Sequence, residues 1–92
     1  MTYQENKNWK AAEKDGDLKK AVEELFEELT LNHEAVEAKP PYKRRHVVRT
    51  LYYSVAYKRY HIINASEEKL QQVLKELKVI RSYMKDEMKK IK

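Results

Sequence analysis

Apolar residues recur along this chain at intervals of three and four, the spacing of helices that bury one face. Leu18, Val22, Leu25, Phe26 and Leu29 make one such stripe, and Asp17 before them suits the N-cap position. The stripe predicts a helix that ends near Asn32 or runs on through Ala35 and Val36. Pro40 and Pro41 forbid it to go further, because proline lacks a backbone donor and pushes the residue before it out of the α region. A further helix is predicted over residues 42–63, with Val48, Leu51, Val55 and Ile62 on one face and Lys58 or Arg59 interrupting it. The last helix is the clearest. Ser66 is a good N-cap, Glu67 and Glu68 lie in the first turn where the helix dipole favours acids, and Leu70, Val73, Leu77, Ile80, Met84 and Ile91 follow a heptad-like order with Met88 beside them.

The N-terminal segment is a weaker helix. Thr2 and Glu5 have capping-box spacing, so a helix is expected over about residues 3–15, stopped by Gly16, the only glycine. Its large apolar residues, Tyr3 and Trp9, do not share a helical face. With short connections, successive helices should run antiparallel. The expected fold is all-α, a compact antiparallel helical bundle of three strong helices and a weaker N-terminal one, forming one domain over residues 1–92. Its predicted core is Leu18, Val22, Leu25, Phe26, Leu29, Val48, Leu51, Val55, Ile62, Leu70, Val73, Leu77, Ile80 and Met84. The last helix, about 39 Å long, should outreach the roughly 32 Å of its predecessor. Met84, Met88 and Ile91 would then overhang, to be covered either by the first helix or by a second subunit in a homodimer through the C-terminal helix.

Composition sharpens this picture. Apolar residues are 41% of the chain and charged residues 38%, a balance that suits helices with heavily solvated faces. One glycine and two prolines cannot supply the turns of a β-sandwich or barrel. Without cysteine there is no disulfide framework and no Cys-based zinc site. The first residues lack a basic stretch followed by an apolar one, and the least polar segment, 51–57, falls far short of the roughly 20 residues that span a bilayer. A cytoplasmic protein is expected.

Charge is partitioned along the chain. Residues 17–37 hold seven acids against Lys19 and Lys20, whereas residues 38–66 hold no acid and seven cations: Lys39, Lys43, Arg44, Arg45, Arg49, Lys58 and Arg59. Five of the seven tyrosines (Tyr42, Tyr52, Tyr53, Tyr57, Tyr60) fall in the same basic segment. Arg45, Arg49, Tyr53 and Tyr60 share one helical face, and arginine with interleaved tyrosine is the footprint of a nucleic-acid-binding surface. The candidate binding residues are therefore Lys43, Arg44, Arg45, Arg49, Tyr53 and Tyr60. The competing expectation is internal: an acidic helix folded against a basic one pairs its charges along the seam, with tyrosines packing beside it. Cations at 43–45 oppose the dipole of a helix that starts there, which favours an anion at that end.

No glycine-rich phosphate loop, metal-ligating histidine spacing or nucleophile elbow is present, so no catalytic, cofactor or metal residues are assigned. His33 and Glu37, one turn apart, suit a hydrogen bond better than ligation, and Ser54 suits a bond back to its own helix. The expected function is a small non-enzymatic binding or regulatory protein whose partner is a nucleic acid or an acidic protein surface. In size, helix order and charge the chain is similar to basic four-helix immunity proteins for small bacteriocins, which implies the second kind of partner: a toxin, receptor or enzyme bound by an inhibitor. A phage or viral assembly component is a further alternative.

Overall fold

Four α-helices and two 3₁₀ turns follow one another as α1 (Asn8–Lys14), α2 (Leu18–Glu37), a turn over Pro41–Lys43, α3 (His46–Ala56), a second turn over Tyr57–Tyr60, and α4 (Glu67–Met88). The computed structural model describes every residue, Met1–Lys92, and contains no strand. α2 is the central helix, packed against α1, α3 and α4. Contacts of Glu37 with Arg49 and Glu27 with Arg59 show α3 antiparallel to α2, and contacts of Arg45 with Glu87 and Lys58 with Glu76 show α4 antiparallel to α3.

Local chemistry sets three of the helix ends. Asp17 accepts the Lys20 amide at 3.1 Å to cap α2, and Ser66 accepts the Lys69 amide at 3.2 Å to cap α4. Gly16 has φ +80° and closes α1, with its own amide on Glu13 O and the Asp17 amide on Ala12 O, the paired bonds of a Schellman motif. α2 does run on through Val36 and stops before the prolines.

Two elements differ from expectation, the third helix, expected to be strong, and the weaker N-terminal one. Helix α3 covers 11 residues rather than the 22 of segment 42–63. Arg44 and Arg45 are extended, with ψ of 151° and 116°, and no acid or side-chain cap supports the first turn of α3. Cations there oppose the dipole, so the helix opens only at His46. Past Ala56 the chain tightens into 3₁₀ geometry over Tyr57–Tyr60 that still brings Ile62 into the core.

In the N-terminal segment the Thr2–Glu5 capping box does not form, and α1 begins at Asn8. Tertiary hydrogen bonds take the backbone groups that a helix would use. Asn32 on α2 accepts the Gln4 amide and donates to the Gln4 carbonyl, both at 2.8 Å, and the Asn6 amide donates to Glu28 at 2.6 Å.

All predicted core residues are buried except Leu18, Leu51 and Ile80, which pack half-buried at its edge. Tyr3, Trp9, Ala12, Ala21, Val36, Tyr52, Leu74, Met88 and Ile91 join them. Fully burying a large apolar side chain contributes about 1.5–3 kcal/mol. Met84, Met88 and Ile91 do not overhang: they lie in the same core as Tyr3, and the Met1 amino group donates to Ile91 O at 2.5 Å. No helix is long and apolar enough to cross a membrane.

Candidate binding surface

Five of the six residues singled out from the sequence separate into two places, and the sixth, Arg49, lies in neither. Lys43, Arg44 and Arg45, in the turn that precedes α3, meet the end of the chain. Together with Tyr42, Lys90 and Lys92 they line an open pocket of about 250 Å³. Tyr53 and Tyr60 lie on another flank, where with Tyr57 and the buried Tyr52 they line a groove of about 390 Å³ between α2 and α3. Arg49 is neither in the pocket nor in the groove. It forks onto Glu37 of α2, Nε to Oε1 at 2.9 Å and Nη2 to Oε2 at 2.8 Å.

The arginines are engaged within the chain. Arg45 donates from Nε and Nη2 to Glu87 Oε2 at 2.9 and 2.8 Å, Arg44 donates to Lys39 O at 2.7 Å with its Nη1 3.8 Å from Glu37, and Arg59 reaches Glu27 at 3.2 Å. Lys58 contacts Glu76. The acidic helix and the basic segment thus do pair along their seam, with α4 supplying further carboxylates. Tyrosine and arginine on the α3 face do not form one continuous free surface.

Charge still accumulates at the pocket. Glu37 is shared between Arg44 and Arg49, and Glu87 between Arg45 and Lys90, whose Nζ donates at 3.0 Å. Lys43 has no carboxylate partner, and its Nζ lies 6.0 Å from the ring centre of the exposed Tyr42. The pocket is therefore lined by five cations (Lys43, Arg44, Arg45, Lys90, Lys92), whose carboxylate partners are Glu87, shared by Arg45 and Lys90, and Glu37, which Arg44 shares with Arg49 outside the pocket. A hydrogen bond from Lys90, then one from Arg45, holds the Glu87 carboxyl below its usual range, and the bond from Arg49 does the same for Glu37. Both carboxylates stay ionised, so these side chains are held in position and not left to roam. Lys90 and Lys92 went unnoticed in the sequence because only folding brings them against residues 43–45.

The tyrosine groove is organised from below. His33, buried on α2, stacks on Tyr52 with ring centres 4.2 Å apart, and Tyr53 meets both rings edge-on at 5.4 Å. The hydroxyls of Tyr52 and Thr30 are 2.9 Å apart. Burial holds the His33 pKa below its ordinary value, and its Nε2 sits 3.6 Å from Glu37 without a hydrogen-bond partner. Ser54 donates to Leu51 O at 2.6 Å, back into its own helix. Tyr53, Tyr57 and Tyr60 are exposed.

A third polar centre had no counterpart in the sequence reading. Glu28 on α2 is 1% exposed, yet its carboxylate accepts from Tyr3 OH at 2.5 Å, the Asn6 amide at 2.6 Å, Trp9 Nε1 at 3.2 Å and Arg81 Nε at 2.6 Å. The Arg81 guanidinium lies 5.5 Å from the Tyr3 ring centre and 5.3 Å from that of Trp9, and also reaches Glu5. Burial and then the Glu28 hydrogen bond push the Tyr3 hydroxyl well above the usual tyrosine range. Every polar group here is matched, which marks a structural clamp that ties the N-terminal segment to α2 and α4. A signal existed: Ala21, Leu25, Glu28 and Asn32 follow helical spacing as a second face of α2.

No three His, Cys, Asp or Glu side chains converge as a metal site would require. Comparison with protein-family models, curated proteins and solved structures gives no match.

Proposed function

We propose that this protein is a non-enzymatic binding protein that holds a polyanion at its basic end, with a nucleic-acid phosphate backbone as the first ligand. The observation that carries this reading is the excess of cations over carboxylates around the pocket beside Lys43. Guanidinium groups already oriented by Glu37 and Glu87 retain N–H donors for phosphate oxygens, and Arg is suited to bind phosphate at two points. Tyr42, 82% exposed next to Lys43, offers a ring on which an unpaired base can stack. A cytoplasmic setting, expected from the sequence, belongs with this reading.

The test is titration of a fluorescently labelled single strand at about 50 mM salt, repeated as salt rises. Displacing about three phosphate counterions gives a slope near −2 in log affinity against log salt. Lys43→Ala leaves every ion pair of the fold in place and should flatten that slope by about 0.7. Absence of binding at about 50 mM salt, or binding indifferent to salt, refutes the reading.

The tyrosine groove favours a second reading, docking of a protein surface. Tyrosine is enriched among residues that dominate binding energy, and Tyr53, Tyr57 and Tyr60 present three rings along one wall. In that case Tyr53→Ala weakens binding of the partner more than Lys43→Ala, with little dependence on salt.

A further inference from the structure

On the side of α4 turned away from the N-terminal clamp, apolar residues remain uncovered. Val79 is 49% exposed and Tyr83 57%, one turn apart on α4, and Val47 of α3 is 46% exposed, with Leu51 and Ile80 half-buried. An aliphatic and an aromatic side chain exposed one turn apart on the same helix face make a patch, whereas single exposed residues would need no explanation.

The charges beside this patch have an order. Lys75 and Asp86 are exposed, take no part in any ion pair of the chain, and flank Val79 and Tyr83 on the same side of α4. They stand 11 positions apart, about 16 Å along the helix, too far to reach each other. A two-fold axis crossing α4 near Arg81 turns this spacing into complementarity. It sets Val79 opposite Tyr83 of a second copy, and by the same operation Lys75 opposite Asp86. In antiparallel helix pairs the same flanks face each other, so both charge pairs form together. On the other flank Glu76 and Glu87 would oppose each other, but Lys58 and Arg45 of the same chain already neutralise them.

We propose that the α3–α4 seam is a self-docking surface on which a second copy of this chain binds two-fold, α4 against α4 in antiparallel register. The surface is distinct from the basic pocket and stands independently of what that pocket binds. It also differs from the C-terminal overhang, which the N-terminal segment covers.

Sedimentation equilibrium from micromolar to millimolar protein tests this, with circular dichroism to confirm that each variant is folded. The unaltered chain should associate to a dimer as concentration rises. Lys75→Glu places like charges opposite each other twice across the axis and should weaken the dimer by about tenfold or more. Adding Asp86→Lys to that variant swaps both charges and should restore association to near its original strength, an outcome available only to pairing between copies in this register. A monomer throughout, as a face reserved for a different protein would give, overturns the proposal. So does a dimer indifferent to Lys75→Glu, or a double variant as weak as the single one.

Discussion

Glu28→Gln isolates the contribution of the buried clamp. Glutamine keeps the shape of the side chain but removes its charge and replaces one acceptor oxygen with a donor. That donor would face Arg81 Nε beside Tyr3 OH, or the Asn6 amide and Trp9 Nε1, and in either place it meets an N–H that can only donate. Removing one member of a buried ion pair costs about 3–5 kcal/mol, because the remaining charge stays desolvated. Arg81 keeps Glu5 as a second partner and its side chain is 14% exposed, so the lower end, about 3 kcal/mol, is expected. A domain of this length has a total stability on the order of 5–14 kcal/mol. Urea unfolding followed by circular dichroism and by the fluorescence of Trp9, the only tryptophan, measures the loss directly. The corresponding fall in Tm is roughly 12–24 °C. Glu27→Gln is the control, since its pair with Arg59 is exposed and worth under about 1 kcal/mol. The double change Glu28→Leu with Arg81→Met should recover part of the loss, since no unpaired charge is left inside. A loss below about 1 kcal/mol for Glu28→Gln would show that this carboxylate contributes no more than a surface one, and the clamp argument would be wrong.

Two further outcomes follow from the titratable groups. Glu5, Glu37 and Glu87 are held below their ordinary pKa of 4.5 by cationic hydrogen-bond partners, and burial holds His33 below 6.5. In each case the unfolded chain takes up protons first, so stability is fully present above the unfolded pKa and is lost as pH falls through the folded one. Urea midpoints should therefore begin to drop below about pH 6.5 and drop further below about 4.5. His33→Phe should remove the first phase, and a decline confined to the second would contradict the neutral buried histidine. Tyr3 has the opposite sign: its pKa is raised, so its contribution is complete below 10 and fades as pH rises beyond it. Tyr3→Phe should lower stability at neutral pH, by about 1.5–3 kcal/mol for a hydrogen bond to a charged group, and narrow its own deficit relative to the unaltered chain in alkali. An unchanged gap at alkaline pH would show that the Tyr3 hydroxyl ionises alike in the folded and unfolded chain, against the raised value.

What the sequence alone determined is local. Asp17, Gly16 and Ser66 act at helix ends through bonds to residues a few positions away, and the apolar stripes of α2 and α4 are periodic whatever they pack against. These features are short-range, so they are readable in order along the chain. Tertiary structure decided the rest. Glu28 reads as one more surface acid until Tyr3 and Trp9 of the N-terminal segment and Arg81 of α4 converge on it. The Thr2–Glu5 signal is genuine as a pattern, but Asn32 and Glu28 take the neighbouring Gln4 and Asn6 backbone groups into tertiary hydrogen bonds. Charge shows the division most plainly. The sequence displayed how much positive charge residues 38–66 carry, while the fold decided which cations meet carboxylates of α2 and α4 and which remain beside Lys90. Side chains far apart in the chain find each other only through packing, and electrostatic interaction depends on that final distance and on the water left between them.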